Sequence, residues 1–264
     1  MANPFTQGAS GPAGSWDPRN PNSSRMSVSE RWKRATRRWN NNWRMNGPNI
    51  TQVLVGINVV VFLALRILAL FPEAYTSTII HLEMIPRQSF TNPWMLITAG
   101  FMHEGIFHLV MNMLALYVVG REMEKLLGHW AFLGLYLVSI LGGNVAFALW
   151  PGNLMTPVIG ASGAIYGLFG ALMTVYRRVG MQTRGTAIFL FVLLFLPMFW
   201  GNIAWQAHVG GFIVGALLSL LMMRGLRGLS STSINKRMAV YGGLFTAILL
   251  ILWLASLWAM SALV

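Results

Sequence analysis

The sequence predicts an all-α polytopic membrane protein, and three observations carry that prediction. Of the 264 residues, 55% are hydrophobic and only 10% charged, against about 25% charged in ordinary soluble domains. Several apolar runs come close to or reach the roughly 20 residues that a helix needs to cross a bilayer. The lysines and arginines gather on alternate connections between those runs, the pattern of a chain that crosses repeatedly with its positive loops inside.

Residues 1–27, rich in Gly, Pro, Asn and Ser, read as a disordered tail. Residues 28–50 form a basic, Trp-containing juxtamembrane segment. There Trp32, Ala35, Trp39 and Trp43 follow helical spacing among Lys33, Arg34, Arg37 and Arg38. Two readings of it stand side by side: an amphipathic segment lying on anionic lipids, or a disordered basic arm that only fixes orientation. The first apolar run begins near Val53, behind this polar stretch. It is therefore expected to stay as an anchor rather than leave as a signal peptide.

Seven spans are expected: Val53–Phe71, Ile106–Leu126, Trp130–Trp150, Ser162–Tyr176, Thr186–Trp200, Trp205–Met223 and Ala239–Ala262. The fourth is the shortest and the richest in glycine. The long connection Pro72–Gly105 holds aromatics but few charges, so partial embedding in the membrane is expected. The largest group of basic residues precedes the first span, most of it within 28–50. Others gather at the ends of spans two (Arg121, Lys125), four (Arg177, Arg178, Arg184) and six (Arg224, Arg227, Lys236, Arg237). The opposite connections hold only Arg87. The N-terminus is thereby expected in the cytoplasm and the C-terminus outside. Arg66, within span one, is expected to snorkel to the interface.

This placement makes the net charge of +12 a topology signal, not a mark of nucleic-acid binding. The chain has no cysteine, which excludes disulfides, thiolate metal sites and thiol redox chemistry.

Polar residues inside a membrane are costly, so each needs a reason. Spans two, four and six run from outside to inside and carry their unusual residues at the outer end: His108 and Asn112, Ser162, and His208. His108 and Asn112 are four apart and share a helix face, as do Ser162 and Tyr166. Gly163 with Gly167, and Gly211 with Gly215, form small-xxx-small faces that let backbones approach closely. Spans four and six should therefore pack together and bring His208 to Ser162, the pairing that activates a serine nucleophile. No carboxylate lies in either span, so a dyad is expected, with His208 steadied by the ring of Tyr166. His108, Asn112 and the Ser162 backbone N–H, at a helix start, are the candidate oxyanion donors. His103 and His108 are five apart, a poor metal pair, and neither metal nor cofactor is expected.

Each residue also has a plainer reading. A serine among glycines packs helices, a lone Asn is interhelical glue, and a lone His suits a transporter site. The joint placement on three alternate helices favours the serine hydrolase. Asn58 and Asn144 lack such company and read as packing.

His108-Leu-Val-Met-Asn112, GASG at Gly160–Gly163 and His208-Val-Gly-Gly211-Phe-Ile-Val-Gly215 occur in this order along spans two, four and six. With them the chain resembles the rhomboid family of intramembrane serine proteases. Phe101-Met-His103, and Glu124 in GREMEKLLG, also fit that family's pattern. The resemblance implies a six-helix catalytic core over 51–225, followed by a linker and one extra C-terminal transmembrane helix in 226–264. It implies Ser162 as nucleophile, His208 as general base and then acid, and His108 and Asn112 as oxyanion donors. Gly160, Gly163, Tyr166, His103, Gly211 and Gly215 support them.

The implied activity is cleavage of single-pass or multi-pass membrane proteins near the outer leaflet, through an acyl-enzyme. Entry is expected past a cap at Pro197–Ala204, in a bacterial inner membrane. A non-proteolytic rhomboid-like binder is the alternative. One departure is Trp94-Met95, where many members carry Trp-Arg in the first loop.

Overall fold

Hydrocarbon offers no partner for a free N–H or C=O, so apolar runs of this length must satisfy their backbones internally. The computed structural model of the chain is helical, with no strand among its described residues. It describes residues 49–180, 185, 204–226 and 228–261, with side chains to residue 256. The tail 1–27, the basic segment 28–48, the expected span Thr186–Trp200 and nearly all of the cap at Pro197–Ala204 lie outside the described residues.

Helix α1 is Ile50–Leu68, α2 Pro72–Leu82 and the short α3 Met95–Thr98. Helix α4, Ile106–Ala115, continues through a π-helical turn at Leu116–Gly120 into α5, Arg121–Leu127. Then come α6, His129–Ala148, α7, Ser162–Arg178, α8, Trp205–Arg224, and α9, Ile234–Ser261. Among the described residues five helical stretches are long and apolar enough to cross a membrane: α1, α4 through α5, α6, α8 and α9. Helix α7, at 17 residues, is shorter. Helices α1 and α9 begin at Ile50 and Ile234, a few residues before the apolar runs that announce them. Polar interfacial residues continue the helix where hydropathy has already faded.

Helix α6 is the central helix, 78% buried, whereas α1 and α9 are 33% and 28% buried. The outward faces of α1, α4 and α9 carry exposed Val60, Phe107 and Ile251, apolar surface of the kind that lipid covers. Helices α6, α7 and α8 meet along glycines. A β-carbon on Gly211 would run into the carbonyl of Gly163, and one on Gly215 into that of Gly167. On the other side a β-carbon on Gly143 would lie 2.8 Å from the Ala207 carbonyl oxygen. With no hydrophobic force between helices in lipid, such close packing is what holds them together.

The far end of α1 is closed by a residue distant in sequence. Its first N–H groups have no intrahelical acceptor, and the Glu124 carboxylate takes them, Ile50 N–H at 2.6 Å and Thr51 N–H at 3.0 Å. The Thr51 hydroxyl donates to the same carboxylate at 2.6 Å, and the His129 ring meets it at 2.5 Å. A negative charge at a helix N-terminus is favoured by the helix dipole as well.

The connection between α1 and α4 is an ordered structure of its own. Met84 and Val158 exchange both N–H···O bonds, at 3.1 and 2.9 Å, and the Arg87 N–H donates to the Leu154 carbonyl at 3.0 Å. Asn144 on α6 donates to the Leu96 carbonyl at 2.9 Å, so this side chain ties the loop to the central helix. Met95 is wholly buried in the apolar core. Trp94 beside it donates from its indole to the His81 carbonyl at 2.8 Å. Arg66 does not stand alone at the interface: it lies over the Phe62 ring and donates to the Glu104 carbonyl.

Candidate active site

Helix α7 begins at Ser162 itself. The sequence Gly-Ala-Ser-Gly explains why the chain turns there. Gly160 has φ +131°, a region closed to most side chains, and its N–H donates to the Ala99 carbonyl at 2.9 Å. A β-carbon on Gly160 would lie 2.9 Å from His108 Nε2 and 3.7 Å from Ser162 Oγ. The missing side chain therefore leaves the room that the His108 imidazole takes up, with the Ser162 hydroxyl at its edge.

His208 comes to the same place from α8. Its Nε2 lies 2.8 Å from Ser162 Oγ. The Tyr166 ring stacks on its imidazole, centroids 4.3 Å apart and planes 18° apart. Tyr166 is one turn along α7 from Ser162, so one helix supplies both the hydroxyl and the stacking surface. His208 is 7% exposed, while Ser162 and His108 are half-buried. No hydrogen-bond partner meets His208 Nδ1 among the described residues.

His103 stands behind His108, ring edge to face with centroids 5.0 Å apart. It lies in the loop before α4, and burial lowers its pKa to about 4, with the nearby His108 acting in the same direction. It is neutral at neutral pH. Asn112 is the candidate that no hydrogen bond brings to Ser162. Its amide donates to the His108 carbonyl, one turn back on its own helix, at 2.9 Å. Of the residues singled out from sequence, Ser162, His208, Tyr166, His108 and Gly160 therefore converge. Gly163 and Gly211 form the contact that holds their helices together, with Gly215 one turn on against Gly167, and His103 backs His108.

Sequence reasoning missed Ala99, whose carbonyl fixes Gly160, and Gly143, which lets α6 approach the starts of α7 and α8. An alanine that contributes only its backbone leaves no signal in a single sequence. Gly143 is the second of a Gly-Gly pair within an apolar run, a pattern that does mark close approach. No cluster of three or more His, Asp or Glu suited to a metal occurs among the described residues.

The comparisons agree in family. A profile of the rhomboid domain matches residues 91–225. The chain is 38% identical over 128 residues to the rhomboid protease GluP of Bacillus subtilis, which covers 46% of this chain and 24% of that protein. It is 33% identical over 140 residues to the mitochondrial RHOMBOID-like protein 6 of Arabidopsis thaliana, covering 49% and 44%. It is 29% identical over 191 residues to the mitochondrial rhomboid protein 1 of Saccharomyces cerevisiae, covering 66% and 54%. The chain thus spans from about a quarter to about half of these relatives' own length. It belongs to the rhomboid family and is a multi-pass, all-helical membrane protein.

Proposed function

We propose that this chain is an intramembrane serine endopeptidase that cuts transmembrane segments of other membrane proteins near the outer leaflet. The observation that carries the reading is the 2.8 Å contact between Ser162 Oγ and His208 Nε2. Beside it stand an imidazole, His108, and a helix N-terminus. Packing alone gives a serine at a helix start no reason to face a histidine from another helix.

On this reading Ser162 Oγ attacks the scissile carbonyl carbon while its proton passes to His208 Nε2. The negative oxygen that forms is met by the Ser162 N–H, which has no intrahelical acceptor at the start of α7, and by the His108 ring. Asn112 retains a second amide hydrogen that can join them. Preorganised donors of this kind are worth about 10²–10³ in rate each. The C–N bond then breaks, and His208 returns the proton to the departing amine. A water molecule, deprotonated by His208, attacks the acyl-enzyme ester, and the proton goes back to Ser162. The reaction requires no metal or cofactor.

A transmembrane substrate hides its peptide bonds in helical hydrogen bonds, so it has to unwind locally before it fits. Helix-breaking or small residues near the cut are expected for that reason. On the same reading the N-terminus faces the cytoplasm and the C-terminus the outside of a bacterial inner membrane. The basic residues of 28–50 then lie against anionic lipid.

The test uses the protein reconstituted in vesicles with a single-pass reporter bearing a Gly- or Pro-containing span. Two products whose new termini map near the outer end of that span, absent with Ser162→Ala, support the protease. Reporter that co-purifies equally with wild type and Ser162→Ala and stays intact would favour the non-proteolytic binder.

A further inference from the structure

Helix α9 lies outside the matched rhomboid domain, yet one of its side chains reaches the loop before the site. Trp253, 6% exposed, donates from its indole to the Ser89 hydroxyl at 3.0 Å. Its ring stacks on Phe90, centroids 5.3 Å and planes 22° apart. Ser89 is fully buried and passes the bond on, donating to the Pro86 carbonyl at 2.7 Å. Residues 84–90 are thus held from one side by α9. From the other side they hold the strand-like segment leading to Ser162, through the Met84–Val158 pair and the Arg87 N–H bond to Leu154. Two residues after Val158 comes Gly160, whose backbone sets the gap between His108 and Ser162.

We infer that α9 braces this segment and that Trp253 is a positioning residue for Ser162. The inference rests on the proposed role of Ser162 as nucleophile. Trp253 touches no reacting atom. It acts through Ser89 and the backbone ladder, and a shift of about 1 Å at a reacting centre is enough to lower a rate by about 10²-fold. A serine buried among apolar groups is an expensive anchor unless its hydroxyl is bonded on both sides, and here it is.

The experiment compares wild type, Trp253→Phe, Ser89→Ala and the double variant. It measures the rate at which a fluorophosphonate labels Ser162, and amide exchange by peptide. Phenylalanine keeps an aromatic ring for the stack but loses the donor and part of the indole's volume, whereas Ser89→Ala removes the acceptor and leaves the indole whole. Expected are labelling slowed about tenfold in each single variant and faster exchange confined to 84–90 and 154–160. The double variant should be no slower than the worse single one, because both changes break one bond. Labelling within about twofold of wild type in both single variants would overturn the inference. So would exchange that rises equally across α7 and α8. If wild type itself is not labelled, the role of Ser162 fails instead, while the exchange comparison still decides whether α9 braces the loop.

Discussion

Gly211 on α8 lies so close to the carbonyl of Gly163 on α7 that no β-carbon fits between them. Ser162 is the neighbour of Gly163 in the chain, and His208 is one turn before Gly211. The separation of two main chains therefore sets the separation of the hydroxyl and the imidazole. The Ser162–His208 distance is here a packing distance.

Gly211→Ala is expected to force α7 and α8 apart. Overpacking of this sort costs about 1–3 kcal/mol, and a displaced imidazole lowers reactivity by about 10²-fold. Thermal unfolding in detergent and the rate of fluorophosphonate labelling measure the two effects. Labelling at the wild-type rate would show that the seam does not set the Ser162–His208 contact.

Gly160→Ala tests the pocket between His108 and Ser162. A residue with a β-carbon at φ +131° is strained, by about 1–3 kcal/mol, and the new methyl meets the His108 ring. Reporter cleavage is expected to fall about 10²-fold or more, with kcat losing more than KM gains. A change confined to KM would mean that this space serves binding alone.

Glu124 is expected to matter for stability and little for chemistry. Glu124→Ala leaves the first N–H groups of α1 and the His129 ring without their acceptor, a loss of about 2–4 kcal/mol. Lys125, paired with Glu122 at 3.6 Å on an exposed surface, provides the contrast: Lys125→Ala should shift stability by less than about 1 kcal/mol. Equal effects of the two variants on the melting temperature would contradict the capping role of Glu124.

These contrasts also show what the sequence alone could reveal. The helices were legible because membrane spans must be apolar and internally bonded. Ser162, His108 and His208 were legible because polar groups at one depth of such spans need a reason. The bond from Glu124 to α1 joins residues 74 apart, and that from Trp253 to Ser89 joins residues 164 apart. No local periodicity encodes either. For the loop between α1 and α4 the sequence indicates partial embedding but neither helix α2 nor the backbone pair with Val158, because aromatic and apolar content does not specify pairing. The π-turn at Leu116–Gly120 left no signal either, since its residues keep an ordinary apolar helical pattern.

His103 gives the chain a pH dependence of defined sign. Its pKa lies at about 4 in the folded protein, below the ordinary 6.5, because burial disfavours its charged form. Between those values the unfolded chain binds a proton that the folded chain does not. The contribution is complete above 6.5 and is lost as pH falls through that window. The melting temperature of wild type is expected to decline on acidification, and that of His103→Gln to decline less steeply. Parallel declines would remove His103 as a source of the slope.

The central claim is that His208 activates Ser162, and intact mass after fluorophosphonate treatment tests it most directly. Purified wild type, Ser162→Ala and His208→Ala are treated in parallel, each first shown to be folded by its melting transition. One adduct on wild type, none on Ser162→Ala and a trace on His208→Ala is the result expected. Folded wild type without an adduct, or equal labelling of wild type and His208→Ala, would contradict the claim.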